Sequence, residues 1–135
     1  IATAELYDFM VDQAKFAGKL SEWPSLARDE EDLADRLMRI NILMEDQGTG
    51  GGGFRYMYAT FLQQAAGIVN DDRLKSMSKE MMDIGDKWRK ISYFAAKISK
   101  NRDMSPDRIR ELSSMIYAQA DEEQKFFTGL YQLVK

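Results

Sequence analysis

The residues most open to a chemical role are five glycines within positions 48–53, followed directly by Phe54 and Arg55. A connection between two helices needs one glycine at the first helix's C-terminus, so a run of this kind calls for a further explanation. Glycine permits left-handed backbone and lets a ligand approach the amide groups closely. If a helix begins near Phe54, its free N–H groups and its dipole would also attract an anion.

Arg55 adds a second indication of negative charge at this place. A cation in the first turn of a helix is normally disfavoured, so an anion is expected close by. That anion could be a bound phosphate, sulfate or carboxylate, or it could be Glu45 or Asp46 at the end of the preceding helix. An internal ion pair is the simpler interpretation. The alternative is an anion or ligand site formed by Gly50, Gly51, Gly52, Gly53, Phe54 and Arg55.

Composition excludes several other kinds of site. The 135 residues include no Cys and no His, which removes the thiolate nucleophile, the commonest general base and the commonest metal ligand. Two-metal sites in helical bundles combine inward glutamates with Glu-x-x-His pairs. Solvated helix faces are the expected place for Glu45, Glu80, Glu111, Glu122 and Glu123. The chain is therefore predicted to be non-catalytic by itself, with no metal and no cofactor. The glycine run also lacks the GK[ST] ending of a nucleotide loop.

Charge and hydropathy bear on partners and compartment. The formal net charge is -3 and the sequence pI is about 5.1, which disfavours binding to nucleic acid or to an anionic membrane. No apolar run approaches the length of a membrane span. The lack of Cys fits a reducing cytoplasm, which is the expected location.

Helical periodicity covers almost the whole chain, and it predicts an all-α fold of about five helices. The first spans about residues 3–19 and ends at Trp23-Pro24. The second is capped by Ser25 or Asp29 and ends at Asp46 or Gln47. The other three begin near Phe54, after a cap at Asn70, and at Ser105-Pro106. They carry these apolar residues: Phe54, Met57, Tyr58, Phe61, Leu62, Ala65, Ala66 and Val69; Leu74, Met77, Met81, Ile84, Trp88, Ile91, Ala95 and Ile98; Ile109, Leu112, Ile116, Ala120, Phe127, Leu130 and Val134.

Short connections between the last three helices predict antiparallel neighbours in the C-terminal half. The regular spacing in the fourth helix would also suit a coiled coil with another chain, but partners within the same chain make an intramolecular bundle the preferred interpretation. Residues 1–135 are expected to form one helical domain. Because Ile1 is not an initiator Met, the domain is expected to be a fragment or the C-terminal domain of a longer protein.

One part of the sequence resembles a known family. Residues 48–66, GTGGGGFRYMYATFLQQAA, resemble a signature of the form GTGG, two residues, FR, then Y and FL with EA or QA. Residues 17–23, AGKLSEW, and the helix that carries Trp88 add to the likeness. The signature is similar to that of an uncharacterised C-terminal helical domain in butirosin biosynthesis protein H-like bacterial proteins.

The resemblance implies a larger protein, in which an N-terminal papain-like domain supplies a Cys/His centre for acyl transfer from a carrier-protein thioester. No catalytic position carries over, because this chain has neither residue type. The implied role is an accessory domain whose glycine loop shapes a substrate or carrier-arm site. Its partners would be the catalytic domain or a carrier protein. The alternative is a stand-alone helical interaction module that forms a homodimer or binds a small anionic ligand.

Overall fold

The computed structural model describes residues 3–46 and 51–134, with side chains described from Asp12 to Leu133 outside the gap. This part of the chain contains six helices and no strand, which confirms the all-α prediction. In chain order the helices are α1 (Thr3–Leu20), α2 (Trp23–Leu26), α3 (Glu30–Glu45), α4 (Arg55–Val69), α5 (Asp72–Lys100) and α6 (Pro106–Val134). Five of them are the predicted long helices, and α2 is a single additional turn.

Capping residues explain where the helices begin. Trp23-Pro24 follows α1 and also begins the single turn of α2. Pro24 is tolerated in this first turn because the N–H that it lacks would have no partner there. Asp29 caps α3 by accepting a hydrogen bond from the Asp32 amide at 2.8 Å, and Ser25 is not the cap because it lies inside α2. Ser105 caps α6 as predicted, with Oγ accepting from the Arg108 amide at 3.3 Å.

The junction between α4 and α5 differs from the prediction by one residue. Asn70 does not cap α5. It ends α4 in the left-handed conformation (φ 57°, ψ 48°), which asparagine tolerates better than most residues. Asp71 is the cap of α5, and its side chain accepts from the Arg73 amide at 3.0 Å. The chain therefore reverses direction within two residues.

Helix α5 lies at the centre of the bundle, packed against α3, α4 and α6, while α1 packs mainly against α6. The intramolecular bundle predicted for this helix is thereby confirmed. Its stripe of apolar residues is buried almost throughout, with Trp88 near its middle only 5% exposed. The core that the helices share includes Leu37, Leu62, Leu74, Met81, Ile84, Trp88, Ile91, Ala95, Ile98, Ile109, Leu112 and Ile116.

Three buried serines join neighbouring helices through their hydroxyl groups. Each donates to the carbonyl oxygen of an alanine on the adjacent helix: Ser78 to Ala59 at 2.6 Å, Ser99 to Ala34 at 2.7 Å and Ser113 to Ala17 at 2.6 Å. These bonds link α5 to α4, α5 to α3 and α6 to α1. Small residues at both ends let the backbones approach, and the hydrogen bond satisfies the buried hydroxyl.

Helix α4 departs most from the expected burial pattern. Its apolar residues were predicted to form one packed stripe, but only Ala59, Leu62 and Ala66 are buried. Four others of the predicted stripe are exposed: Phe54 by 55%, Met57 by 55%, Phe61 by 57% and Val69 by 61%. Ile68, which is not part of that stripe, is 84% exposed. The reason is that α4 packs extensively against α5 alone, so within the described residues one side of the helix has no neighbour.

Hydropathy along the helices adds one observation. Within residues 3–46 and 51–134, no helix is both long enough and apolar enough to cross a membrane.

Candidate functional site

The described part of the glycine run forms a left-handed turn that leads into α4. Gly51, Gly52 and Gly53 have φ values of 80°, 60° and 58°, in the region that glycine enters without steric cost. The Gly53 amide donates to the Met44 carbonyl at 3.2 Å and so attaches the turn to the end of α3. Gly50 belongs to the predicted site but lies outside the described residues.

Gly52 is required by space as well as by backbone conformation. A Cβ atom there would lie 3.0 Å from the Tyr56 ring and 3.2 Å from the carbonyl oxygen of Gly85 on α5. Gly85 is restricted in the same way, because its Cβ would lie 2.9 Å from the Tyr56 ring. The ring of Tyr56 is thus in close contact with two glycines, one in the loop and one on the central helix.

Phe54 continues the left-handed backbone although it is not a glycine. It precedes α4 with φ 70° and ψ -4°, a conformation that is costly for a bulky L-residue. Its side chain is 55% exposed, so burial of the ring does not offset that cost. A strained aromatic residue at the edge of a glycine loop is an outlier of the kind found at functional sites.

Arg55 points into the bundle and forms an ion pair with Glu123 of α6. Its Nε lies 2.7 Å from Oε1 and its Nη2 lies 3.1 Å from Oε2, the two-point geometry that guanidinium and carboxylate groups favour. The two side chains are 11% and 1% exposed. Arg55 also donates from Nη1 to the Gly53 carbonyl at 2.8 Å, and its guanidinium carbon lies 4.6 Å from the centre of the Trp88 ring. Arg55 therefore connects the loop to the core.

Glu123 collects hydrogen bonds from three other helices. Besides Arg55, the Trp88 indole Nε1 donates to Oε1 at 2.7 Å, and the Gln13 amide donates to Oε2 at 2.8 Å. We call Gln13, Arg55, Trp88 and Glu123 the buried polar network. A buried carboxylate is tolerated only when it is paired and hydrogen-bonded in this way.

The prediction that Glu123 lies on a solvated face was therefore wrong. Glu123 lies in the buried stripe of α6, which recurs at spacings of three and four through Ile109, Leu112, Ile116, Gln119, Glu123, Phe126 and Leu130. Phe126, which is not among the apolar residues predicted for this helix, is 5% exposed. The periodicity could have identified both residues, since each continues the apolar spacing.

Glu45, proposed as a partner for Arg55, accepts instead from the Ser92 hydroxyl at 2.9 Å and forms an ion pair with Arg89 at 3.4 Å. Below the loop, the Tyr56 hydroxyl donates to Asp86 Oδ1 at 2.6 Å. Burial, reinforced by the neighbouring Asp86 carboxylate, raises the pKa of Tyr56 to about 12. The Tyr56 phenol is thus a neutral hydrogen-bond donor at physiological pH.

The arrangement brings Gly51, Gly52, Gly53, Phe54 and Arg55 together at one end of α4. Among the residues that the structure describes, no three acidic side chains converge closely enough to hold a metal ion. What the end of α4 offers a ligand is a fixed set of backbone groups beside an exposed aromatic ring.

Comparison with known proteins identifies the family. Residues 11–130 match the family described as Domain of unknown function (DUF4872). The chain belongs to this family. No curated protein and no solved structure matches it.

Proposed function

We propose that this DUF4872 chain is a non-catalytic accessory domain of an acyltransferase-like biosynthetic protein, and that its glycine loop shapes a substrate or carrier-arm site. The resemblance of residues 48–66 to the butirosin biosynthesis protein H-like signature supports the acyltransferase context. The single observation that carries a role for the loop is Phe54, an exposed aromatic residue in a costly left-handed conformation.

The buried polar network supports a loop that is built in advance of binding. Arg55 bonds both the Gly53 carbonyl and the Glu123 carboxylate, so the loop backbone is connected to α6 through one side chain. A binding surface that is already ordered loses less conformational entropy when its ligand arrives. The charge of Arg55 is directed inward. The amides of Gly53 and Arg55 already donate to the Met44 and Gly52 carbonyls, so an anion would meet the other amides of the loop and the α4 dipole.

The carrier arm has the chemistry that this surface would accept. Phosphopantetheine joins a phosphate to an extended amide chain, and its thioester carries the acyl group. The phosphate would lie against the amides of the loop, and the neutral chain would lie along the Phe54 ring. Transfer of the acyl group would belong to the partner catalytic domain, because this chain has no Cys and no His.

The test is an NMR titration of the chain with 4′-phosphopantetheine, and separately with inorganic phosphate. We expect the amide resonances of Gly51, Gly52, Gly53 and Phe54 to shift with phosphopantetheine. Phosphate alone should shift the glycine amides less at the same concentration, because it lacks the chain that contacts Phe54. If neither compound moves the loop amides, the loop is not a carrier-arm site.

Two alanine variants provide a matched comparison. Phe54 and Phe61 are 55% and 57% exposed, and they lie at the start and near the middle of α4. Phe54→Ala should weaken phosphopantetheine binding by about five- to tenfold, the loss expected for one aromatic contact of about 1 kcal/mol. Phe61→Ala should leave it unchanged. Equal effects of the two variants would contradict a site at the loop.

The genomic context tests the accessory role separately. A gene that encodes a domain with paired Cys and His in the same reading frame as this chain would support the accessory role. A start codon directly before Ile1 would favour the alternative of a stand-alone interaction module. The exposed side of α4 is the observation that favours that alternative.

A further inference from the structure

Helix α1 is held to the rest of the bundle mainly through one neighbour. Within the described residues its extensive packing is with α6, whereas α3 and α4 pack against the central helix α5. Ala17 and Leu20 of α1 are completely buried, and the Ser113 hydroxyl of α6 donates to the Ala17 carbonyl at 2.6 Å. Loss of this one interface would therefore release α1 while α3, α4, α5 and α6 keep the contacts that they share.

Helix α1 also supplies one of the four hydrogen bonds to the Glu123 carboxylate. Gln13 Nε2 donates to Oε2 at 2.8 Å, while Arg55 and Trp88 supply the other three. Glu123 is only 1% exposed, so Gln13 is part of what separates this carboxylate from water. From Glu123 the contacts continue through Arg55 to the Gly53 carbonyl, at 2.8 Å. A side chain of α1 is thus connected to the backbone of the glycine loop.

Two side-chain oxygens are buried without a hydrogen-bond partner among the described residues, and both belong to the helices that form this interface. They are Gln13 Oε1 on α1 and Gln119 Oε1 on α6, one helical turn before Glu123. An acceptor without a partner in the interior is costly. Water would satisfy Gln13 Oε1 once α1 moved away. The Gln13 amide therefore stabilises Glu123 through its N–H group, while its oxygen lowers the free energy of docking.

We infer that docking of α1 on α6 controls the order of the glycine loop. With α1 docked, the pair of Arg55 and Glu123 is shielded from water, and Arg55 holds the Gly53 carbonyl. When α1 leaves, Glu123 loses the Gln13 bond and becomes accessible to water, in which the attraction between the two charges is weaker. Arg55 then releases the Gly53 carbonyl, and the left-handed turn loses its link to α6. The effect of docking on ligand binding rests on the function proposed for the loop.

Two variants weaken the docking of α1 at different places. Gln13→Glu keeps the size of the side chain but brings a second carboxylate against Glu123. Ser113→Ala removes the hydrogen bond to the Ala17 carbonyl and leaves the bonds of Glu123 in place. Ser99→Ala is the matched control, because it removes an equivalent bond from a buried serine to an alanine carbonyl, but between α5 and α3.

Amide hydrogen exchange measures α1 and the loop in the same sample. In the loop, the Gly53 and Arg55 amides donate to backbone carbonyls, so their protection reports the conformation of the loop. We expect Ser113→Ala to speed the exchange of the α1 amides and of these two loop amides by about five- to tenfold, the change expected for one buried hydrogen bond. Gln13→Glu should have a larger effect on both. Ser99→Ala should leave both unchanged, because it acts on another pair of helices.

Faster exchange in α1 with an unchanged loop, in either docking variant, would overturn the control of the loop by α1. Equal effects of Ser113→Ala and Ser99→Ala on the loop would also overturn it, since they would show only a general loss of stability. The same holds if neither docking variant speeds exchange in α1. Circular dichroism checks that each variant folds, and Ser113→Ala alone decides the matter if Gln13→Glu does not. If the loop amides respond to α1 but not to 4′-phosphopantetheine, the coupling stands and the carrier-arm function fails.

Discussion

Arg55 and Glu123 lie 68 positions apart in sequence, yet they form a two-point ion pair that connects the start of α4 to the middle of α6. The pair is shielded from water on both sides, with Trp88 and Gln13 occupying further hydrogen-bonding positions around the carboxylate. Because Arg55 also holds the Gly53 carbonyl, the conformation of the glycine loop depends on a residue of the last helix.

Glu123→Gln should therefore destabilise the fold by about 3 kcal/mol, because it leaves the guanidinium of Arg55 buried without a counter-charge. The free energy of unfolding in urea measures this change. Glu122→Gln is the matched control. The Glu122 carboxylate forms an ion pair with Lys87 at 2.8 Å, but the Glu122 side chain is 36% exposed and the Lys87 side chain is 48% exposed. That variant should cost less than about 1 kcal/mol. Similar losses in the two variants would contradict a special role for the buried pair.

Gly52→Ala should destabilise the fold by about 2 kcal/mol or more. The new Cβ would meet the Tyr56 ring and the Gly85 carbonyl oxygen, and alanine disfavours a φ of 60°. Gly67→Ala is the comparison, because the space around it is open and it lies inside a helix, where alanine is favoured by about 0.5–1 kcal/mol. The two substitutions should thus shift the urea midpoint in opposite directions. A stable Gly52→Ala variant would mean that the loop readily adopts another conformation.

Much of the fold follows from local signals in the sequence. Ser105 caps α6 as predicted, and Asp29, one of the two candidates for the cap of α3, is the residue that caps it. The apolar stripe of α5 is buried along nearly its whole length. These features depend on residues within one or two helical turns. Local sequence is sufficient to predict them because hydrogen bonds to the first turn and helical periodicity are themselves local.

The candidate site depends on contacts that no local signal identifies. Arg55 indicated a nearby anion, but the choice of Glu123 over Glu45 depends on how α4 and α6 approach each other. The outer side of α4 shows a similar limit. Periodicity predicts that a helix has an apolar face, whereas the presence of a neighbour to cover Phe61 or Ile68 is decided by the packing of the whole bundle.

Tyr56 should make stability depend on pH in the alkaline range. The folded-state pKa is about 12 against an ordinary value of 10.0, so the unfolded chain loses this proton first. The contribution of the Tyr56 phenol to the free energy of unfolding is fully present below about pH 10 and is lost as the pH rises through about 12. Unfolding free energies measured from pH 9 to pH 12 should fall more steeply for the wild type than for Tyr56→Phe. Asp86→Asn should reduce the difference by lowering the pKa of the phenol, and identical profiles for all three proteins would contradict the assignment.

Phe54→Gly should separate stability from binding. Glycine adopts a φ of 70° without the cost that a bulky residue meets, and the Phe54 ring is 55% exposed, so the variant loses little packing. We expect it to be more stable than the wild type by about 1 kcal/mol in urea unfolding, while its affinity for 4′-phosphopantetheine falls as in Phe54→Ala. A gain in stability together with a loss of affinity in this one variant would mean that the strained Phe54 favours ligand binding and destabilises the fold. A variant that becomes less stable would show instead that the ring supports the loop, and the functional argument from backbone strain would fail.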